Sequence, residues 1–243
     1  NKVADEFEIQ LANGALKCDN LIIATGGFHK AKGYDFMKNL NHTIIDPNPS
    51  LFTFNLPKND LLTLQGLVAN VDVKIIGSKF SESGPLLVTH WGVSGPGILK
   101  LSSWAARFLN EKNYEFDFII NWLPNQSEDN LKDLFASYKQ NFGNKKVFNQ
   151  MEIDIPKKLK HFLMDKAGIS SDIKWADTNK KQINKLIQFL TADIYPSKGK
   201  TTFKQEFVSC GGVELSEVNF KTMESKQTPN LYFAGEVLNI DAL

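Results

Sequence analysis

The sequence has almost no arginine and almost no net charge. Its 28 basic residues include one arginine, Arg107, and 27 acidic residues leave a formal net charge of +1. A site built on the forked contacts of arginine to phosphate is therefore nearly excluded. The balance of charge also argues against a strong general attraction to nucleic acid, and we expect no DNA partner.

Cysteines and long apolar runs are equally scarce. The chain has two cysteines, Cys18 and Cys210. They are too far apart in the sequence for a CxxC motif, and two cysteines are too few for a disulfide framework. Because this usage fits a reducing compartment, we expect a cytoplasmic protein. No apolar run approaches the roughly 18 residues of a membrane span and no signal sequence is recognisable, so no membrane partner is expected.

Several common catalytic and metal-binding patterns are missing. The histidines at His29, His42, His90 and His161 lack metal-ligand spacing, and no metal site is predicted. No G-x-S-x-G or Cys/His/Asn pattern supplies a hydrolase nucleophile. The phosphate fingerprint G-x-G-x-x-G is absent too, since the run Gly92–Gly97 has its glycines in another order and a proline inside.

The sequence does contain enough apolar material for one full domain and a smaller second one. It has 243 residues, of which 42% are hydrophobic and 23% are charged. The mixture of strand-like and helix-like segments predicts an α+β (mixed α/β) fold. Residues 51–126 are mostly strand-like, with strands expected at 71–76, 86–89 and 114–122, whereas residues 127–200 are mostly helical.

Local signals define the ends of several elements. In the strand-rich region a helix is expected to begin with Ser94 as its N-cap and Pro96 in its first turn. In the helical region Ser127 and Pro156 begin two helices, and a third carries Ile183–Leu190. In the N-terminal segment we expect a hairpin turn at Asn13-Gly14, a strand at 21–24, a helix at 34–40 and a loop at Pro47 and Pro49. In the C-terminal segment we expect strands at 203–209 and 231–234.

Two of the predicted strands end in glycine. One reads Ile22-Ile23-Ala24-Thr25-Gly26-Gly27, and the other reads Leu231-Tyr232-Phe233-Ala234-Gly235-Glu236. Ligands of open α/β sheets bind beyond the carboxyl ends of the strands, where glycine lets the backbone approach a pyrophosphate or a ring. A carboxylate there can accept a hydrogen bond from a ribose or ribityl hydroxyl. Each stretch is also compatible with an ordinary turn after a strand.

The segment Thr89–Pro96 places a histidine, a tryptophan and a hydroxyl just before a helix start. Free backbone N–H groups at such a start favour an anion or a polarised oxygen. His90 is therefore a candidate proton donor near neutral pH. The alternative is that Ser94 only caps the helix and that His90 is a partly buried, hydrogen-bonded side chain.

Taken together, six stretches resemble the YhiN/BaiN family of FAD-dependent, NAD(P)H-linked oxidoreductases. The stretches are Ile23–Gly27, Asn48–Phe54, Thr89–Pro96, Gly211–Val213, Lys221–Lys226 and Leu231–Asp241. Their order and spacing agree over nearly the whole chain. The resemblance implies a flavoprotein in which residues 1–50 and 201–243 are parts of a Rossmann-like FAD-binding domain. Residues 51–200 are then an insert with a β-barrel-like part and a small helical module.

The resemblance also implies site residues. Thr25, Gly26 and Gly27 are expected near FAD, and Gly235 and Glu236 near its ribityl and pyrophosphate region. Asp241, at the end of the last stretch, is a further cofactor-binding candidate. Ser94, Gly95 and Pro96 are the others, and they are expected to approach the flavin from the insert together with the candidate proton donor His90.

Two features of the family are missing from this sequence. They are the glycine-rich turn that holds the ADP half of FAD and the segment that contacts the flavin after the last stretch. We therefore expect the chain to be a fragment of a larger flavoprotein, inactive by itself and without retained FAD. NAD(P)H is the expected electron donor of the parent, and the acceptor is an organic molecule, such as one with a C=C bond.

The kind of substrate stays open between a small molecule and RNA. The lysines of the helical module indicate either solvated helix faces or a weak contact for a polyanion. The alternative hypothesis is therefore a recognition module that holds a macromolecular substrate, such as RNA, without chemistry of its own. A purely structural interaction domain is a further alternative. The sequence does not choose between NADH and NADPH and does not define an oligomeric state.

Overall fold

The computed structural model describes residues 1–3, 6–199 and 208–241. The chain divides into two compact units, residues 1–51 with 203–243 and residues 52–202. The strands of the described residues are β1 (Lys2–Val3), β2 (Glu6–Leu11), β3 (Gly14–Cys18), β4 (Leu21–Ile23), β5 (Ile44–Ser50), β6 (Phe54–Asn55), β7 (Val68–Ile75), β8 (Ser81–Val88), β9 (Gly92–Ser94), β10 (Glu115–Asn121), β11 (Asp193–Lys198), β12 (Val208–Val213), β13 (Val218–Asn219), β14 (Glu224–Ser225) and β15 (Leu231–Phe233). The α-helices are α1 (Asp35–Lys38), α2 (Pro96–Trp104), α3 (Ala106–Glu111), α4 (Glu128–Asn141), α5 (Val147–Gln150), α6 (Lys157–Lys166) and α7 (Lys180–Thr191).

The described residues of the first unit form three small sheets. Strands β1, β2 and β3 form an antiparallel sheet, β5 pairs with β12, and the third sheet has the order β13-β14-β15-β4. In the third sheet β15 and β4 run parallel, with Leu231 opposite Leu21 and Phe233 opposite Ile23. The expected helix at 34–40 is a 3-10 turn, Ala31–Tyr34, followed by the short α1.

The predicted hairpin is confirmed, with its turn moved by one residue. Leu11 pairs with Gly14, so Ala12 and Asn13 form the two-residue loop and Gly14 begins β3. A two-residue loop is the commonest connection between antiparallel strands. The signal carried by Asn13-Gly14 therefore identifies the hairpin but not its register.

The loop expected at Pro47 and Pro49 is wrong, because both prolines lie in β5. Among the described strands it pairs with β12 alone, and a proline is tolerated on a strand whose other edge is unpaired. The register slips between Cys210 and Gly212, opposite the region of Pro47. A Cβ on Gly211 would lie 2.6 Å from the Asp46 carbonyl oxygen, so glycine permits this bulge. Of the strand expected at 203–209, residues 203–207 lie outside the described residues.

The second unit is built on a nearly closed antiparallel sheet. Its strand order is β11-β10-β7-β8-β9-β6, and β11 approaches β6 at the far side. Side chains alternate between inside and outside along β7, as expected for strands with one buried face. Fully buried residues that fill the interior include Phe54, Val71, Val73, Phe118 and Ile120. The β-barrel-like part of the predicted fold is confirmed.

The helical module follows the barrel strands and starts where the sequence predicts. The Ser127 hydroxyl accepts a hydrogen bond from the Asn130 N–H at 3.1 Å and so caps α4. Pro156 precedes α6, and Gly168 follows it with φ +75°. A reciprocal pair of hydrogen bonds between Asn179 and Gln182 begins α7.

Two boundaries in the second unit differ from expectation. Ser94 is not the N-cap of α2, because it is the last residue of β9 and Gly95 takes the cap position. Gly95 has φ +98°, and a Cβ there would lie 2.6 Å from the Pro85 carbonyl oxygen, so only glycine fits. The region predicted as mostly helical also ends in a strand, β11, which joins the barrel beside β10.

Candidate functional site

The two glycine-terminated strands lie side by side in the first unit. Because β4 and β15 are parallel and in register, the segments that follow them leave the sheet at the same edge. The Ala234 N–H donates to the Ile23 carbonyl oxygen at 2.9 Å, which extends the pairing past the strand ends. Gly26-Gly27 and Gly235-Glu236 therefore follow the carboxyl ends of neighbouring strands, the place where α/β sheets bind ligands.

The glycines at these strand ends leave open backbone. Gly26 has φ +72° and Gly235 has φ +79°, and a Cβ built on either would meet no atom within 4 Å. Such left-handed conformations strain any residue with a Cβ. Gly27 instead packs on the second strand end, since its Cβ would lie 3.4 Å from the Glu236 carbonyl oxygen. The arrangement combines an accessible backbone with a tight junction between the two segments.

Polar groups surround this edge. Thr25 is exposed, and its hydroxyl donates to the Gly26 carbonyl oxygen at 3.3 Å. The Tyr34 phenol accepts a hydrogen bond from the Phe28 N–H at 3.1 Å. Burial raises the pKa of Tyr34, and the charge of the Glu236 carboxylate raises it further, against the opposing effect of that hydrogen bond. Tyr34 is a residue of this edge that the sequence analysis did not identify.

Strand β12 fixes the backbone that follows Glu236. The Val213 N–H donates to the Val237 carbonyl oxygen at 3.0 Å, and the Asn239 N–H donates to the Val213 carbonyl oxygen at 2.9 Å. A Cβ on Gly212 would lie 2.4 Å from that Val237 oxygen, so the close approach requires glycine. Asp241, a predicted cofactor residue, is exposed just beyond this paired segment. The Gly211–Val213 stretch thus supports the strand-end edge directly.

The predicted proton donor His90 lies in the second unit, in the loop between β8 and β9. It is exposed, and its ring packs edge-on against Trp91 with 4.0 Å between centroids. The Trp91 indole N–H donates to the Thr53 hydroxyl at 3.2 Å. The Thr89 hydroxyl donates to the Gly92 carbonyl oxygen at 3.0 Å. The loop is therefore held in place while His90 is exposed at its surface.

Close packing determines the backbone conformation of the residues that follow His90. A Cβ on Gly92 would lie 1.9 Å from the Phe54 carbonyl oxygen, and a Cβ on Gly97 would lie 3.3 Å from the backbone of Gly84 in β8. Pro96 is exposed, but Gly97 and Ile98 in the first turn of α2 are buried. The helix start therefore rests on β8. A cofactor contact of Ser94, Gly95 and Pro96 stays a prediction.

The predicted site residues thus form two groups. Thr25, Gly26, Gly27, Gly235, Glu236 and Asp241 belong to the first unit, and His90, Ser94, Gly95 and Pro96 belong to the second. Among the described residues, no group of three or more His, Cys, Asp or Glu side chains is arranged to hold a metal ion. None of the described helices is long and apolar enough to cross a membrane.

The first unit contains a buried polar cluster of His42, Glu217 and Ser225 that the sequence does not predict. The Ser225 hydroxyl accepts hydrogen bonds from the N–H groups of Gln227 and Thr228 at 3.0 and 2.8 Å, so its own hydrogen is directed at His42 Nε2, 2.9 Å away. His42 Nδ1 then carries a hydrogen and donates to Glu217 at 3.0 Å. The order of groups resembles a hydrolase relay, but both His42 and Ser225 are buried, so the cluster is structural.

Acid is expected to destabilise the first unit through this cluster. Burial lowers the pKa of His42 despite its contact with Glu217. The unfolded chain therefore takes up a proton at higher pH than the folded chain, and the free energy of unfolding should fall as the pH drops below about 6.5. Burial alone would raise the pKa of Glu217, but hydrogen bonds from Thr43 and His42 make it lower than usual. Its stabilising contribution is lost only at still lower pH, as the pH falls through its folded value.

Denaturant unfolding measured across this pH range checks the prediction. His42→Gln should flatten the pH dependence between about pH 5 and pH 7. His161→Gln is the matched control, because His161 is exposed and pairs with Asp165 on the same helix at 2.9 Å. Equal pH dependence of the wild type and His42→Gln would contradict the assignment.

Comparison with known proteins identifies the family to which the chain belongs. The family model described as HI0933-like protein barrel and H2TH domain matches residues 48–208. Proteins named ribosomal RNA dihydrouridine synthase from Haemophilus influenzae and Escherichia coli are 29% and 28% identical, each over 96% of this chain and over 57% and 58% of their own lengths. The 3-dehydro-bile acid delta(4,6)-reductase of Clostridium scindens is 22% identical over 99% of this chain and 61% of its own length.

The chain therefore spans less than two thirds of these relatives. The resemblance to the YhiN/BaiN family is confirmed by the matches. Because the family model covers more than half of the sequence, including the whole barrel and helical module, this chain belongs to the HI0933-like protein family.

Proposed function

We propose that the full-length protein is an FAD-dependent oxidoreductase that reduces a carbon–carbon double bond of an RNA base, with NAD(P)H as electron donor. The observation that carries the proposal is the strand-end edge with its open glycines, in a chain of this family. We further propose that the protein works in the cytoplasm. The stretch of chain described here does not retain FAD by itself, because the family's glycine-rich turn is not part of it.

The residues at the strand-end edge fit a dinucleotide cofactor. The backbone at Gly26 and Gly235 is open to an incoming group, and Glu236 supplies a carboxylate that can accept hydrogen bonds from hydroxyls. Thr25 adds an exposed hydroxyl. These residues would hold FAD, with Asp241 as a further contact. FAD, when bound, supplies the hydride.

The names of the relatives support the reaction class. Dihydrouridine is uridine whose ring double bond has been saturated, and a delta(4,6)-reductase acts on double bonds of a steroid. Reduction of such a bond adds a hydride to one carbon and a proton to the other. The exposed His90, oriented by its packing on Trp91, is the group we propose to deliver the proton.

RNA is favoured over a small molecule by charge and by similarity. The two relatives named as ribosomal RNA enzymes are more similar to this chain than the bile acid reductase is. Residues 127–191 carry 12 lysines and 8 acidic residues, so this segment is basic although the whole chain is nearly neutral. The same surplus favours the second candidate, a module that holds RNA without chemistry of its own.

Anaerobic spectroscopy on the full-length protein tests the proposal. The purified protein should show bound flavin, NADH or NADPH should bleach it, and unmodified RNA should restore the oxidised spectrum with formation of dihydrouridine. Mass spectrometry of the digested RNA measures the gain of two hydrogens. A protein without flavin would refute the oxidoreductase and leave the binding module. Reoxidation by an unsaturated steroid ketone but not by RNA would refute the substrate.

A further inference from the structure

An exposed stripe runs along the outer face of α2 and α3. Between Pro96 and Asn110 the exposed residues recur at steps of four and three, which is close to helical spacing, across α2 and α3 and the Ala105 junction between them. The stripe consists of Pro96, Lys100, Trp104, Arg107, Asn110 and Glu111. The opposite face is buried against the barrel through residues such as Ile98 and Leu101. The stripe is therefore the solvent side of this helix pair.

Trp104 is the unusual member of the stripe. Its side chain is 49% exposed, whereas Trp122 and Trp175 are almost fully buried. Lys100 lies one turn before it and Arg107, the one arginine of the sequence, lies about one turn after it. Along the stripe, this large aromatic side chain therefore stands between two cationic residues. The acidic residue Glu111 stands only at the end of the stripe, beyond Arg107.

We propose that Trp104 stacks on an unpaired base of the RNA substrate while Lys100 and Arg107 contact the adjoining phosphates. The inference rests on the proposed function, since it takes RNA as the substrate. Aromatic rings that stack on bases, beside cations that follow the backbone, are the two elements by which proteins hold single-stranded nucleic acid. The positive flanks match the phosphates in charge.

The position of the stripe gives Trp104 a positioning role. Helix α2 begins two residues after Ser94, and Trp104 lies about 12 Å further along its axis. The His90 loop and α2 belong to the same unit and are joined through β9. A base stacked on Trp104 is therefore held by the same unit as His90 and apart from the chemistry. Trp104 sets the affinity and register of the RNA.

Binding of a short, unstructured, uridine-containing RNA to the full-length protein tests the proposal. Fluorescence anisotropy should show about tenfold to a hundredfold weaker binding for Trp104→Ala. Trp104→Phe should restore most of the affinity and Trp104→Leu should not, because stacking needs an aromatic ring. The control is Phe220→Ala, which removes another aromatic side chain that is 57% exposed.

The cations have their own readout. Lys100→Gln and Arg107→Gln should each reduce the dependence of log K on log salt concentration by about 0.7. Lys221→Gln, an exposed lysine of the first unit, should leave this slope unchanged. Flavin reduction by NAD(P)H should be the same in all variants.

The outcomes distinguish failure of the stacking role from failure of the proposed RNA-reducing function. A wild type that binds RNA and forms dihydrouridine, with Trp104→Ala binding equally well, overturns the stacking role alone. A wild type that neither binds nor reduces RNA overturns both. Protection of Trp104 from acrylamide quenching in the RNA-free full-length protein, compared with Trp104→Phe, also overturns the inference, because the ring would then be covered by another part of the polypeptide.

Discussion

Replacing Lys166 by methionine is expected to lower the free energy of unfolding by about 3–5 kcal/mol. The Lys166 ammonium lies 2.5 Å from the carboxylate of Asp193, whose side chain is 1% exposed. The other carboxylate oxygen accepts hydrogen bonds from the Tyr195 hydroxyl and the Trp122 indole. Burial raises the pKa of Asp193 although these partners oppose the shift. Without Lys166 the buried carboxylate has no positive partner, and methionine supplies only the apolar part of the side chain.

Denaturant unfolding measures this loss. The control is Lys132→Met, whose ion pairs with Asp129 and Glu128 are exposed, and it should leave the free energy of unfolding almost unchanged. The loss in Lys166→Met should shrink as the pH falls, because a protonated Asp193 carries no uncompensated charge. The double variant Lys166→Met/Asp193→Asn should recover part of the stability. A loss in Lys166→Met as small as the control would show that the pair contributes little.

Replacing His90 by alanine in the full-length enzyme is expected to lower turnover about a hundredfold or more. Loss of a positioned proton donor slows the step in which the double bond is reduced. In the proposed reaction, the step in which NAD(P)H reduces the flavin does not need that proton and should keep its rate. Stopped-flow measurement of the two half-reactions separates these effects.

A matched histidine variant controls for general damage. His161→Ala removes another half-exposed imidazole, on α6, and should leave both half-reactions unchanged. His90→Ala is also expected to fold normally, because the imidazole is exposed. Unchanged turnover in His90→Ala would remove the proton-donor role, and equal slowing of both half-reactions would point to a structural role of the loop.

Local chemistry in the sequence predicts much of this fold. The Ser127 cap, the Pro156 start and the hairpin at Gly14 each depend on a few neighbouring residues, and all are found where expected or one residue away. The strand at Pro47 and Pro49 was missed because it depends on β12, which lies far along the chain. Gly95 was missed as a cap because the reason for it is the Pro85 carbonyl oxygen in another strand.

The candidate site shows the same division. The glycine-rich strand ends were recognisable one at a time, but their parallel pairing joins residues near opposite ends of the sequence. The contacts that hold the strand-end edge in place, such as those of Tyr34 and of Gly212 with Val237, join distant segments of the chain. No local sequence pattern encodes them. The buried pair Lys166–Asp193 likewise joins a helix to a barrel strand. Residue types can be read from the sequence, whereas partners across the fold cannot.

The parallel pair of β4 and β15 has a consequence for the order of folding. Residues 52–202, between these strands, form a compact unit of their own with antiparallel pairings. Ribosomal synthesis delivers β4 long before β15, so the first strand must wait for Leu231 to emerge. The barrel and its helices can fold during that delay. The strand-end edge, which needs both strands, is thus expected to assemble after the second unit.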